Sequence, residues 1–440
     1  MGELMAPDLE ELRVFTARLR CVEAGGDAGS GIEWLDAIET LKSVGCAAQA
    51  VITDGVATSI RADRRARGLS RVEWDRGIAS QIALARRESP NRGGRHLGFA
   101  QVLVHEMPHT LDLLRSGRLN EWRATLLVRE TACLSAEDRG IVDRRLCADP
   151  GILDGVGDQG LVARAKALAA ELDAASVVRR HRKAVSERRV TTRPAPDSMA
   201  YLSVLMPVEQ AVCLQATLGR DADSLIATGN GGGRTRNQVM VDLLFARGTG
   251  AEVASGVPVA VNLVLSDETL LASGNEPAQL QGYGPVPAGI ARQWVADAVD
   301  AEVGATLQRL YSCPQSGALT AMESQSRTSP KGLAKLIDLR DRTCRTPWCD
   351  APIRHHDHIR PHGKLGRTSV RNGSGLCEAC NYAKEAPGWV ARPVTRPGRR
   401  HLIDLGTPTG HHYRSTAPPL PTPARHSVVE AVLLAHLRAS

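Results

Sequence analysis

The chain has 440 residues, 42% of them apolar and 3% aromatic, with three Phe, ten Cys and a formal net charge of +7. At about 100–200 residues per domain this length holds two to four domains, and the apolar share supports a sizeable core and excludes wholesale disorder. So few aromatics leave that core to Leu, Val, Ala and Ile, which favours helix-on-helix packing over a β-sandwich. Ten cysteines are too sparse for a disulfide scaffold, and the positive charge permits a polyanionic partner without requiring one.

The first twenty residues carry Glu3, Asp8, Glu10 and Glu11 and no apolar run of signal-peptide type. No window approaches the roughly 18 apolar residues of a spanning helix. A soluble, cytoplasmic chain is expected, in which thiols stay reduced and clustered cysteines suggest metal.

In chain order, Asp8 to Glu23 has a helical apolar period, and Ile32 to Leu69 is a long periodic stretch weakened at Gly45, Gly55 and Gly68. His96 to Leu146 predicts further amphipathic helices, one started by Pro108 and ended by Gly117, another capped at Ser135-Ala-Glu-Asp138. Gly160 to Arg189 reads as one long helix ending in a basic run, Arg179-Arg180-His181-Arg182-Lys183 with Arg188 and Arg189. Such a run is usually a solvated helix face, and a phosphate-facing role is the minority reading. Met199 to Pro207 reads as a short strand or turn, Val208 to Leu218 as helix, Asn230-Gly-Gly-Gly233 as a loop, and Arg234 to Ala246 as helix. Val257 to Ser266 alternates like a strand, Gly282 to Pro287 is a turn, and Gly289 to Gly304 is helical. Residues 311–330 have linker composition, and Pro393 to Pro423, with seven Pro, reads as extended or disordered before a short apolar helix, Ser427 to Leu437.

Charge and cysteines concentrate towards the end. Residues 331–400 hold fifteen Lys/Arg against six Asp/Glu, a net +9, so the other 370 residues carry −2. Four cysteines fall in the same segment, as Cys344-x4-Cys349 and Cys377-x2-Cys380. Two such knuckles can converge on one tetrahedral Zn²⁺, and four thiolates leave no open coordination position, so the site would be structural. The scattered Cys21, Cys46, Cys133, Cys147, Cys213 and Cys313 read as small buried hydrophobes.

Between and beside the knuckles stand His355-His-Asp-His358-Ile-Arg-Pro361, Arg371-Asn372, and Asn381-Tyr-Ala-Lys384. Asp357 offers a carboxylate and Asn381 an amide oxygen, hard ligands that suit Mg²⁺ or Mn²⁺. His358, whose unperturbed pKa is near 6.5, can accept a proton from water. Phosphodiester hydrolysis needs a base to make the nucleophile and a metal to neutralise charge on the phosphate and leaving oxygen. An isolated His is more often a surface or capping residue, but this one adjoins an Asp between zinc knuckles in a basic segment.

The arrangement resembles the HNH endonuclease motif, of the ββα-metal type with a four-cysteine zinc site. Asp357-His358-Ile359-Arg360-Pro361 is similar to the first family motif, Asn372 to the middle Asn, Asn381 to the last position, and Lys384 to the trailing Lys. The resemblance implies that Asp357 and Asn381 bind the catalytic metal, that His358 is the general base, and that Asn372 braces the loop between two strands. Asn stands here where the family more often has a final His. His355-His356 is the alternative active pair, because the family also uses His-His; otherwise these two stand behind the site or face DNA, and His362 contacts phosphate or nothing. Residues from about 8 to 310 resemble the helical domain of unknown function that precedes HNH modules in actinobacterial repeat proteins. Arg188-Arg189 before Asp197-Ser-Met199-Ala200, Arg234-Thr-Arg-Asn-Gln238 with Asp242, and Gly282-Tyr-Gly-Pro-Val-Pro287 carry that looser likeness.

The expected fold is a mainly α body over 1–310 with a small α/β part near 251–300, a linker over 311–335, a treble-clef-like ββα-metal module over 336–392, and a Pro-rich tail over 393–440. The leading functional expectation is a metal-dependent endonuclease on double-stranded DNA, with structural Zn²⁺, catalytic Mg²⁺ or Mn²⁺, and Arg360, Lys364, Arg367, Arg371 and Lys384 on phosphates. Nicking or double-strand cutting would depend on whether the protein works alone or as a homodimer. The alternative is a zinc-stabilised DNA-binding or regulatory protein without cleavage. A third reading makes the helical body a partner-binding or repressor domain with the last module as effector.

Overall fold

The computed structural model describes residues 7–23, 25–250, 262–271, 274–300, 310–312, 319–322, 330–361, 366, 368–394 and 399–421. The chain divides into two compact units: Met1–Val56 with Leu97–Val177, and Ala57–His96 with Val178–Ser440.

The first unit is helical. Its elements are α1 (Leu9–Leu19), most of α2 (Ala28–Ala66), the end of α4 (Pro90–His105), then α5 (Pro108–Arg115), α6 (Glu121–Glu130), α7 (Ala136–Cys147), α8 (Asp158–Leu172) and the start of α9 (Ala174–Ser186); α3 (Ile78–Arg86) lies in the second unit. The expected starts are visible as caps. Asp8 accepts from the Glu11 amide while Glu11 returns the bond to the Asp8 amide, Pro108 occupies the first turn of α5, and Ser135 accepts from the Asp138 amide. Each side-chain cap satisfies an otherwise orphaned N–H, at about 1 kcal/mol. Asp143 caps α5 from a distance: its carboxylate accepts from the His109 and Thr110 amides and from the Thr110 hydroxyl. Leu103, Met107, Leu114, Leu119, Leu127, Val142 and Leu161 are fully buried here, each side chain worth about 1.5–3 kcal/mol.

The long helix expected from Gly160 to Arg189 is two helices. Asp173 leaves the helical region at φ −147°, and its carboxylate accepts from the Ser176 amide at 2.8 Å. A side chain that ends α8 and caps α9 competes successfully with helix continuation.

The second unit carries small antiparallel sheets. β1 (Arg189–Pro194) pairs with β2 (Ala200–Leu205), followed by α10 (Val208–Ala227) and α11 (Arg236–Thr249), whose cap is a Thr235–Gln238 box. β3 (Leu263–Val264), β4 (Ala278–Leu280) and β5 (Gly284–Val286) form one sheet, with α12 (Asp267–Leu271) inserted and α13 (Ala288–Asp300) after it. The turn expected at Gly282 to Pro287 is thus a β4–β5 hairpin, while most of the strand expected from Val257 lies outside the described residues.

Two boundaries differ from expectation. The linker interval holds β6 (Leu310–Ser312) paired with β7 (Leu319–Met322), and then α14 (Pro330–Asp341). The Pro-rich tail contributes β11 (Leu402–Gly406) and β12 (His412–Thr416), which continue a sheet begun by β10 (Val390–Pro393). Ile403 and Leu405 point inward, with Leu402 before them and Asp404 between them less buried, a period-2 alternation that the flanking prolines conceal. The terminal helix expected from Ser427 lies outside the described residues. Leu84 of α3 packs with Ala386, Trp389 and Leu405 in a common core. Among the scattered cysteines, Cys46 and Cys147 are buried as expected, but Cys21 and Cys213 are exposed, Cys133 is half-buried, and Cys313 lies outside the described residues.

Candidate functional site

The order β8 (His355–His358), β9 (Gly373–Leu376), α15 (Glu378–Lys384) follows the first knuckle. β8 and β9 are antiparallel, with His358 opposite Gly373, Asp357 opposite Ser374 and His355 opposite Leu376. The Arg345 and Arg354 amides donate to Gly375 and Leu376 carbonyls, which seats the first knuckle against β9.

That seating brings four buried sulfurs together. The Sγ atoms of Cys344, Cys349, Cys377 and Cys380 all lie within 4.8 Å of one another, with Cys349 and Cys377 3.7 Å apart. Trp348 adopts the left-handed region at φ 59°, which closes the Cys344–Cys349 turn. Cys377 caps α15, its sulfur accepting from the Cys380 amide at 3.4 Å. Hydrogen bonding among the thiols splits their proton affinities. The bond with Cys349 holds Cys344 low and that with Cys344 holds Cys377 low, while bonds with Cys344 push Cys349 and Cys380 up. Four soft sulfurs in a tetrahedral-sized cluster could hold one zinc ion.

On the α15 side of β8, the Lys384 ammonium lies 2.7 Å from Asp357 Oδ2 and 2.7 Å from Glu385 Oε1, and donates to the His358 carbonyl. Its side chain is only 8% exposed. Expected on a phosphate, Lys384 is instead an internal cation joining helix to strand. Asn381 precedes it by three positions, so the two share a helix face. Asn381 Oδ1 is buried with no hydrogen-bond partner, which is costly for an amide oxygen unless something else meets it.

His358 Nε2 lies 2.9 Å from Thr368 Oγ1. Asn372 is buried and brackets one residue of the strand-exit loop: Oδ1 accepts from the Arg360 amide at 2.9 Å, and Nδ2 donates to the Arg360 carbonyl at 3.1 Å. Its backbone carbonyl accepts from Ile359. The same loop returns through Gly366, where a Cβ would fall 1.8 Å from the Arg360 carbonyl oxygen, so only glycine fits. The bracing role expected of Asn372 has this geometry, and its side chain is engaged with backbone.

His356 pairs with Asp338 of α14, Nε2 to Oδ1 at 2.7 Å, and His355 lies beside the Tyr382 ring. Arg360 and Arg371 are exposed, whereas Lys364, Arg367 and His362 lie outside the described residues.

Sequence reasoning missed the support beneath the site. Asp341, fully buried, accepts from Arg340, from Arg345 and from the Gly375 amide. Burial raises its carboxyl pKa, but the Arg340 and Arg345 guanidinium groups outweigh that and hold it below the usual range. Two arginines of the +9 segment are therefore engaged inside the fold. An adjacent dipeptide Arg340-Asp341 with Arg345 four positions on was the available signal, and a charge count could not reveal its burial.

The family described as Domain of unknown function (DUF222) matches residues 42–341, ending at the buried Asp341 and ahead of the first knuckle. No curated protein and no solved structure matches the chain. No helix among the described residues is long and apolar enough to cross a membrane.

Proposed function

The chain belongs to the DUF222 family, and on that premise we propose that its last module is a metal-dependent DNA endonuclease of HNH type. The supporting observation is the orphaned, buried Asn381 Oδ1 on the same face of α15 as Lys384, whose ammonium reaches Asp357. A carboxylate and an unpartnered amide oxygen on facing elements are the ligand types that a hard divalent cation selects.

In this reading Asp357 and Asn381 would hold Mg²⁺ or Mn²⁺, which supplies charge neutralisation at the phosphate when bound. His358 takes a proton from the attacking water through its ring, which Thr368 orients at Nε2. Asn372 fixes the strand exit that carries His358 and Arg360. Exposed Arg360 and Arg371 offer phosphate contacts. A structural Zn²⁺ on the four cysteines holds the small module together. A homodimer would let two such sites address both strands.

The second reading, a zinc-stabilised DNA-binding or regulatory module without cleavage, draws on one observation. Asp357 already has a counter-ion in Lys384, and an ion pair alone would account for it. Plasmid DNA with Mg²⁺ or Mn²⁺ separates the two. Nicking or linearisation that EDTA stops, and that His358→Ala abolishes without loss of zinc or DNA binding, supports the nuclease. Equal cutting by His358→Ala removes His358 from the mechanism, and no metal-dependent cutting by the intact chain leaves the binding module.

A further inference from the structure

The −2 carried outside residues 331–400 is itself unevenly spread. Residues 174–205 hold seven basic side chains (Arg179, Arg180, Arg182, Lys183, Arg188, Arg189 and Arg193) against Glu187 and Asp197, a net +5. The remaining 338 residues then sum to −7. A compact positive island on an otherwise acidic body is a local feature that whole-chain charge hides.

The structure sets this island on two adjoining elements, α9 and the β1–β2 ribbon. Arg182, Lys183, Arg189 and Arg193 are exposed. All six residues of β1 and all six of β2 are exposed as well, on both faces. An isolated two-stranded ribbon is marginal in water, yet this one is held in shape. The Tyr283 hydroxyl lies 3.0 Å from the Ala195 carbonyl and 2.9 Å from the Met199 carbonyl, at the two ends of the turn, and Asp197 and Ser198 in the turn take the left-handed conformation at φ 58° and 59°.

Strand alternation sorts the ribbon's side chains. Pairing of Arg189 with Leu205, Thr191 with Ser203 and Arg193 with Tyr201 puts these six on one face. The Arg193 guanidinium lies over the Tyr201 ring at 4.2 Å, which fixes a long cation without neutralising it. The face therefore presents two guanidinium groups, three hydroxyls and an aromatic ring. Six residues per strand span about 20 Å, and a two-stranded ribbon fits the roughly 12 Å major groove of a duplex.

We infer that α9 and the β1–β2 ribbon form a second duplex-DNA grip, separate from the cysteine module, that holds the phosphate backbone through Arg182, Lys183, Arg189 and Arg193. Phosphate contacts position a protein on DNA without reading sequence. Such a grip would keep a small module on its substrate. It needs no cleavage chemistry, so it can be tested with the metal removed.

The experiment is equilibrium binding of a fluorescent 40-base-pair duplex to the full chain in EDTA across a salt series. The variant Arg182→Gln/Lys183→Gln/Arg189→Gln/Arg193→Gln should bind at least tenfold more weakly at low salt. Its log–log salt slope should fall by about 2–4, close to one unit for each phosphate no longer neutralised. A control that removes four exposed charges elsewhere (Arg13→Gln/Lys42→Gln/Arg67→Gln/Arg115→Gln) should keep the wild-type slope. Arg182→Lys/Arg189→Lys/Arg193→Lys should keep it too, because a point charge suffices for phosphate. An unchanged slope in the glutamine variant overturns the proposal. Equal weakening in the lysine variant, or preference of the intact chain for anionic lipid vesicles over the duplex, overturns it as well. Cleavage with Mg²⁺ is read separately, so a chain that binds DNA through α9 but never cuts refutes the nuclease and leaves this grip standing.

Discussion

Lys384 Nζ stands 2.7 Å from Asp357 Oδ2, so the carboxylate proposed as a metal ligand already faces a buried ammonium. Any divalent ion binding at Asp357 must do so against that positive charge. Lys384→Met should therefore tighten Mn²⁺ binding by about tenfold, or about 1.4 kcal/mol, while Asp357→Asn should abolish it. Calorimetric titration with Mn²⁺ measures both. Equal affinity in wild type and Lys384→Met would show that the ion pair and the cation do not compete.

Asn372 is a brace with two arms on one residue, the amide and the carbonyl of Arg360. Alanine there leaves two backbone groups of a tight loop without partners, at a cost of about 1–3 kcal/mol. The urea midpoint of Asn372→Ala should drop accordingly, and cutting should weaken because His358 sits two residues before Arg360. A midpoint equal to wild type would mean that the bracket contributes nothing to the fold.

What was legible beforehand follows from how local each signal is. Asp8 and Ser135 announce helix starts because a cap acts within four residues. The knuckle spacing announced the sulfur cluster because only convergence gives it chemistry. Lys384 was expected on a phosphate because its partner Asp357 comes from another element, and Arg340 and Arg345 entered only a charge count, which carries no sign of their contacts with Asp341, Val370 and Ser415. Asp173 broke a periodic stretch through a single side-chain bond that no apolar period registers. The strand pair β11–β12 was hidden by its prolines, which lie in the turn and beyond the strand ends (Pro408, Pro418) and not within the strands.

Cys377 does two jobs, one sulfur in the cluster and one cap on α15. Serine keeps the cap chemistry and removes the soft ligand, so Cys377→Ser separates the two. Native mass spectrometry should find one zinc per wild-type chain and none in the variant. Apparent zinc-binding free energy is about 10–16 kcal/mol in small structural sites. The variant's module should therefore unfold, and chelator treatment of wild type should reproduce the effect. One zinc retained per Cys377→Ser chain would dismiss the four-sulfur site.

His401 gives the fold an acid-side limit. It is buried, its Nε2 donates to the Arg371 carbonyl at 2.9 Å, and Nδ1 faces the Arg345 guanidinium at 3.3 Å. That environment selects the neutral ring with the proton on Nε2. Burial first, and the Arg340 charge second, lower its pKa from 6.5 to about 4. Between those two values the unfolded chain binds a proton that the folded one refuses, so stability is complete above pH 6.5 and is lost as pH falls towards 4. The full effect is about 3 kcal/mol at one pKa unit per about 1.4 kcal/mol. Asp341 acts in a separate window: held below its ordinary 3.8, it withdraws stability only at still lower pH. Urea midpoints measured from pH 7 to pH 4 should slope downward in wild type and run flatter in His401→Gln. The same slope in both would assign the acid sensitivity to another group.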